Sequence, residues 1–137
     1  FGAAPAGAQL AVDRMDIQMA PGDLQSRVGI VQVKNEGSRP VQAIVKLEDW
    51  DRDSIGQNRW YPYKTQPGSC GDRLAVFPAS VALAPGESAA LRVSLEGTQP
   101  LEKACWAAAI VETAQDMGRG VRYLIRTAVK VYVTPPE

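Results

Sequence analysis

From Gly120 to Pro135 hydrophobic and polar positions alternate: Val121, Tyr123, Ile125, Val129, Val131 and Val133 fall on every second residue, interrupted at Thr127, with Arg122, Arg126 and Lys130 between them. Period two is the signature of a strand with one face in a core. At about 3.3 Å per residue this stretch would run roughly 40 Å, where an ordinary strand has five or six residues. A strand that long is either shared by two sheets or has an edge that offers backbone groups and alternate apolar side chains to another chain.

The rest of the chain is also strand-patterned. Between Gln9 and Met19 the apolar positions are Leu10 and Val12, then Met15, Ile17 and Met19, so the parity flips at Asp13-Arg14. A one-residue slip turns every later side chain to the other face, which predicts a bulge or a strand that changes sheets. Arg27 to Lys34 reads as a second strand and Val41 to Trp50 as a third, joined by Asn35-Glu36-Gly37-Ser38-Arg39-Pro40. Asp51 to Gly71 is the least regular part. Leu74 to Leu83 reads as a fourth strand, an edge kinked at Pro78, where proline cannot donate to a ladder. Ala89 to Leu95 is a fifth strand and Cys105 to Thr113, almost wholly apolar, a central sixth. Seven strands without an amphipathic helix predict an all-β, two-sheet sandwich of immunoglobulin type, its first and fourth strands divided between the sheets.

Composition narrows the function. A length of 137 residues with 45% hydrophobic content suits one domain, 9–135, behind a flexible Gly/Ala/Pro tail, 1–8. Fifteen basic and fifteen acidic residues cancel, so no global field draws in nucleic acid, and no apolar run is long enough to insert into a membrane as a helix. Cys70 and Cys105 fit a single disulfide in an oxidising compartment; two free buried thiols would leave the same sequence.

With no histidine, the commonest general base and metal imidazole are absent, and no nucleophile, base and orienting group can be assembled. No catalytic residue, metal or cofactor is expected. Asp49, Asp51 and Asp53 begin like a calcium loop, but Ser54 and Trp60 occupy the positions that require glycine and glutamate. Trp60, Tyr61 and Tyr63 have the character of a sugar-stacking platform, or of aromatics packing on their own sandwich. Arg14, at the parity flip, and Lys130, in the last strand, are cations on plausible neighbouring strands. Together they would hold a carboxylate; apart, each would meet solvent or an acid such as Asp13 or Asp16.

Several pieces, in order and spacing, resemble a known family: Leu10-Ala11-Val12-Asp13-Arg14, Val33-Lys34-Asn35-Glu36-Gly37 with Pro40, Trp50, Phe77-Pro78, Leu83-Ala84-Pro85-Gly86, Trp106, and Lys130-Val131-Tyr132-Val133-Thr134-Pro135. From about Leu10 to Pro135 the chain resembles the N-terminal domain of the periplasmic PapD-like chaperones of the chaperone-usher pilus pathway. The resemblance implies a binding protein that lends its last strand to a pilin-like subunit or other extended secreted segment. It places the donor positions on Val121, Tyr123 and Ile125 and the carboxylate-anchoring pair on Arg14 and Lys130. Lys130 and Ile125 differ in parity, so a regular strand would turn them to opposite faces. Those chaperones carry a second sandwich domain, so the chain is either one domain of such a protein or a single-domain relative. It also implies a periplasmic or secreted location. An exposed apolar edge further invites a homodimer through the same strand. The rival expectation is a structural immunoglobulin-like module in which Val121, Tyr123 and Ile125 face their own core, and a more distant one is a sugar-binding module.

Overall fold

A computed structural model describes residues 10–116, 120 and 122–135. The expected tail, 1–8, and Val121 lie outside the described residues. Among the described residues ten strands form two facing sheets: β1 (Leu10–Val12), β2 (Asp16–Met19), β3 (Val28–Asn35), β4 (Val41–Arg52), β5 (Asn58–Pro62), β6 (Leu74–Phe77), β7 (Ser80–Leu83), β8 (Ser88–Leu95), β9 (Cys105–Asp116) and β10 (Arg122–Val133). The smaller sheet has the order β1-β3-β8-β6; the larger runs β2-β10-β9-β4-β5, with β7 also on β4. Among the described residues no helix is long and apolar enough to cross a membrane.

The count is ten rather than seven for three physical reasons. The parity flip at Asp13-Arg14 and the kink at Pro78 are both sheet changes: β1 pairs β3 in one sheet while β2 pairs β10 in the other, and across Pro78 β6 pairs β8 while β7 pairs β4. The third addition, β5, lies in the stretch that reads as irregular. Its hairpin with β4 is closed by Asp53, whose carboxylate accepts the amides of Ile55 and Gln57 at 3.0 and 2.9 Å, and by Gly56 at φ +86°. Turn residues dominate that segment, and they hide a five-residue strand of mixed polarity.

Period two fills the space between the sheets. Ile17, Val31, Val33, Ala43, Val45, Leu91, Val93, Ala107, Ala109, Val129, Val131 and Val133 are buried in one core. Each fully buried branched aliphatic side chain contributes about 1.5–3 kcal/mol. Two covalent or polar devices hold the sheets in register. Cys70 and Cys105 are bridged across 35 residues, which stabilises by roughly 4 kcal/mol on the chain-entropy argument. Asn35, fully buried, donates from Nδ2 to the carbonyls of Arg39 and Leu83 at 2.8 and 3.0 Å and accepts the Gly37 amide at 2.9 Å.

Candidate functional site

The long last strand is divided by its neighbours. On one side β10 pairs β9 without interruption from Arg122↔Asp116 to Val133↔Cys105. On the other it pairs β2 only from Lys130↔Asp16 to Val133↔Met19. Its first eight residues, 122–129, therefore have no ladder on that side among the described residues. The direction of the amides follows from the paired end: Lys130 N donates to Met15 O and Thr134 N to Met19 O, both at 3.0 Å. Even-numbered amides thus point toward β2, and those of Leu124, Arg126 and Ala128 point at the open edge.

Cover fades along the same strand. Val133, Val131 and Val129 are wholly buried, Ile125 is half-buried, and Tyr123 is 56% exposed although it shares their parity. Leu124, of opposite parity, is 60% exposed. The open half therefore presents both apolar side chains and amides that have no ladder partner among the described residues. Because the β9 ladder has no bulge, Lys130 and Ile125 face opposite sides, as their parity requires. Arg126, one of the polar positions between the apolar ones, sits on the outer side, where it bridges Glu48 and Glu112; Lys46 completes the charge cluster with the same two acids.

The outer face of the larger sheet carries a second, small cluster around Trp50. The paired part of β4 and β9 ends at Glu48↔Ala108. Just beyond it two indoles take over: Trp50 Nε1 donates to Ala107 O at 2.8 Å and Trp106 Nε1 to Trp50 O at 2.7 Å. Trp50 is buried although it lies on an outer face, because Tyr132 meets it edge-on at 5.8 Å and Trp60 at a tilt at 6.5 Å. Lys130 adds a cation 4.3 Å from its centroid, and the Arg52 guanidinium carbon lies 5.6 Å from it.

The structure brings Arg14 and Lys130 to adjoining segments, since the Lys130 amide bonds the carbonyl of Met15, next to Arg14. Their side chains take different partners. Arg14, exposed in the crossing between β1 and β2, donates from Nε to Asp16 O at 3.0 Å. Lys130 Nζ donates to Asn58 Oδ1 at 3.0 Å. Burial, and then the Arg52 charge, hold the Lys130 ammonium below the usual lysine range. Asn58 and Arg52 had no signal in the sequence beyond lying near Trp50 and Trp60.

The remaining candidates have internal partners. The Tyr61 hydroxyl bonds Asp51, the Tyr63 hydroxyl donates to Gly71 O at 2.7 Å, and Trp60 leans on Trp50. Asp51 accepts Arg59 at 2.8 Å, which lowers its pKa, and Asp49 accepts the amides of Thr65 and Gln66. The three aspartates thus serve three separate local tasks.

No protein-family model matches the chain, and no curated protein matches it in sequence. Solved structures do match in fold. The class 5 fimbriae chaperone CfaA superposes with a TM-score of 0.68 at 14% identity, over 93% of this chain and 57% of its own. The CsuC-CsuE chaperone-tip adhesion subunit pre-assembly complex, from the archaic chaperone-usher Csu pili of Acinetobacter baumannii, gives 0.66 at 14%, over 93% and 57%. A PapD-like domain of human CEP192 gives 0.60 at 12%, over 99% and 91%. The chain thus spans under three fifths of the length of the two pilus proteins and almost all of the human domain. An architecture used in such different settings does not by itself assign a task. The chain has the PapD-like fold, the immunoglobulin-type sandwich found in the chaperones of chaperone-usher pili.

Proposed function

We propose that this domain is a chaperone-like binding module that takes an extended segment of a secreted protein, pilin-like in character, as an added strand along residues 122–129 of β10. The supporting observation is the divided strand. Amides of Leu124, Arg126 and Ala128 point to an edge that β2 leaves uncovered, beside the apolar Tyr123 and Ile125. Backbone hydrogen bonds give sequence-tolerant affinity, and alternate side chains give selectivity. Lys130, where β2 begins to cover the edge, and Arg14, at the crossing beside it, mark the end of the groove at which a terminal carboxylate would be held.

The reading places the domain in the periplasm or outside the cell, where the Cys70–Cys105 bridge persists. A second copy of the chain is a competing occupant of the same edge. The structural-module reading needs Tyr123 inside the domain's own core, and its 56% exposure weighs against that. Calorimetric titration with a peptide of alternating apolar residues tests the proposal, in free-acid and amidated forms. Binding of the free acid that weakens at least tenfold on amidation is the expected result; no binding of either form, with the domain monomeric, sinks it.

A further inference from the structure

We propose that Arg52 is a second cation of the carboxylate site, acting with Lys130 over the Trp50 ring and outranking Arg14 there. The inference deepens the proposed function and rests on that reading for the identity of its ligand, a chain-terminal carboxylate.

Arg52 and Lys130 lie within 6 Å of one ring centroid. The ion pairs among the described residues engage Lys46, Arg59, Lys64 and Arg126, and include neither of these two cations. Of the two acids that flank Arg52, Asp51 is already held by Arg59 and Tyr61, and Asp53 accepts the amides of Ile55 and Gln57. Two like charges over one indole, without a counter-charge, leave a gap that an anion fills.

The backbone brings them together by design of the β4–β5 hairpin. In strand order β9 and β4 separate Lys130 from Asn58, a span of about 14 Å at ordinary sheet spacing. A lysine and an asparagine do not bridge that distance, yet their side chains meet at 3.0 Å. The hairpin end therefore curls over the outer face, where Ala108, opposite Lys130, leaves room for the lysine stem. Arg52 and Asn58 are cross-strand partners in that hairpin, so the curl delivers both to Lys130. Asn58, whose Oδ1 accepts from Lys130, keeps its NH2 group as a third donor for the same anion. A carboxylate matches this set: the guanidinium forks onto two oxygens and the ammonium meets one as a point charge. Arg14, by contrast, has its Nε committed to Asp16 O.

Acetate is the simplest probe, titrated at fixed ionic strength set with sodium chloride and followed by the Trp50 indole N–H resonance. The wild-type domain is expected to give a saturable shift. Arg52→Gln should weaken acetate at least tenfold, because the charged two-pronged donor is lost; Arg14→Gln should weaken it by a smaller factor. An Arg52→Gln variant that binds acetate like wild type, or a wild-type response no different from that of chloride, overturns the proposal. The same proteins are then titrated with the free-acid and amidated peptides. Acetate binding that depends on Arg52, with no preference for the free-acid peptide, leaves this anion site standing and refutes the strand-terminus reading instead.

Discussion

Lys130 Nζ stands 4.3 Å from the ring centroid of Trp50, a cation on β10 resting on an indole of β4 although β9 lies between the two strands. The contact ties the end of the open edge to the outer-face cluster. Cation–aromatic contacts of this kind contribute about 0.5–2 kcal/mol, more when desolvated. Replacing Lys130 by methionine keeps the stem and removes the charge, so folding stability should change by about 1 kcal/mol or less in urea titration. Equal losses of stability and of binding to the free-acid peptide would assign Lys130 a structural role only.

The same residue gives a pH dependence whose sign is fixed. Burial and Arg52 lower the folded-state pKa of Lys130 below its ordinary 10.5. Between the lowered value and 10.5 the unfolded chain holds the extra proton, so stability rises with pH across that alkaline window. Subtracting the profile of Lys130→Met removes the other titrating groups. The difference should climb toward 10.5; a flat or falling difference contradicts the desolvated ammonium.

Asn35 should be among the most sensitive side chains in the domain. Its three bonds tie the β3 end to Arg39, to Leu83 of β7 and to Gly37. Asn35→Ala leaves two carbonyls and an amide without those partners, each costing about 1–3 kcal/mol where water cannot enter. We expect a loss of about 2–4 kcal/mol in urea, with the denaturant slope unchanged; a loss under 1 kcal/mol would show that the turns hold themselves.

Gly68 is required by the indole beside it. A Cβ there would lie 2.2 Å from Trp106 Cζ2 and 2.5 Å from Cε2 and Cη2, so the ring must move. Trp106 also donates to Trp50 O, so the displacement reaches the cluster under Lys130. Gly68→Ala should cost about 1–3 kcal/mol, as overpacking does, and alter tryptophan fluorescence. Unchanged fluorescence and stability would mean that the ring has room to yield.

Much of this architecture is written in periodicity. The β10 alternation, the sheet changes at Asp13-Arg14 and Pro78, and the opposite facing of Lys130 and Ile125 all follow from counting in twos. What stays hidden is made by encounters between distant segments. Asn58 meets Lys130 across 72 residues, and only the curl of a hairpin whose turn residues mask β5 brings them together. Trp50 reads as a strand end, while its burial on an outer face depends on Trp60, Trp106 and Tyr132 from three other strands. Arg126 reads only as a polar position between apolar ones until Glu48 and Glu112 are seen beside it.

Tyr123 and Ile125 should matter for binding and little for folding. Tyr123 is exposed and Ile125 half-buried, so Tyr123→Ser with Ile125→Ser should cost about 1 kcal/mol or less of stability. Peptide affinity should fall at least tenfold, since two apolar contacts are lost. An unfolded double variant would favour the structural-module reading.

Hydrogen exchange along β10 tests the open edge most directly. In the isolated monomer the amides of Leu124, Arg126 and Ala128 should exchange quickly, while those of Ile125, Thr127 and Val129, turned into the β9 ladder, and of Lys130 and Tyr132, turned toward β2, are protected. Adding the free-acid peptide should protect Leu124, Arg126 and Ala128, and amidation should weaken that protection. Protection of all three in the monomer, unchanged by peptide, would show that the edge is already closed and would contradict the account.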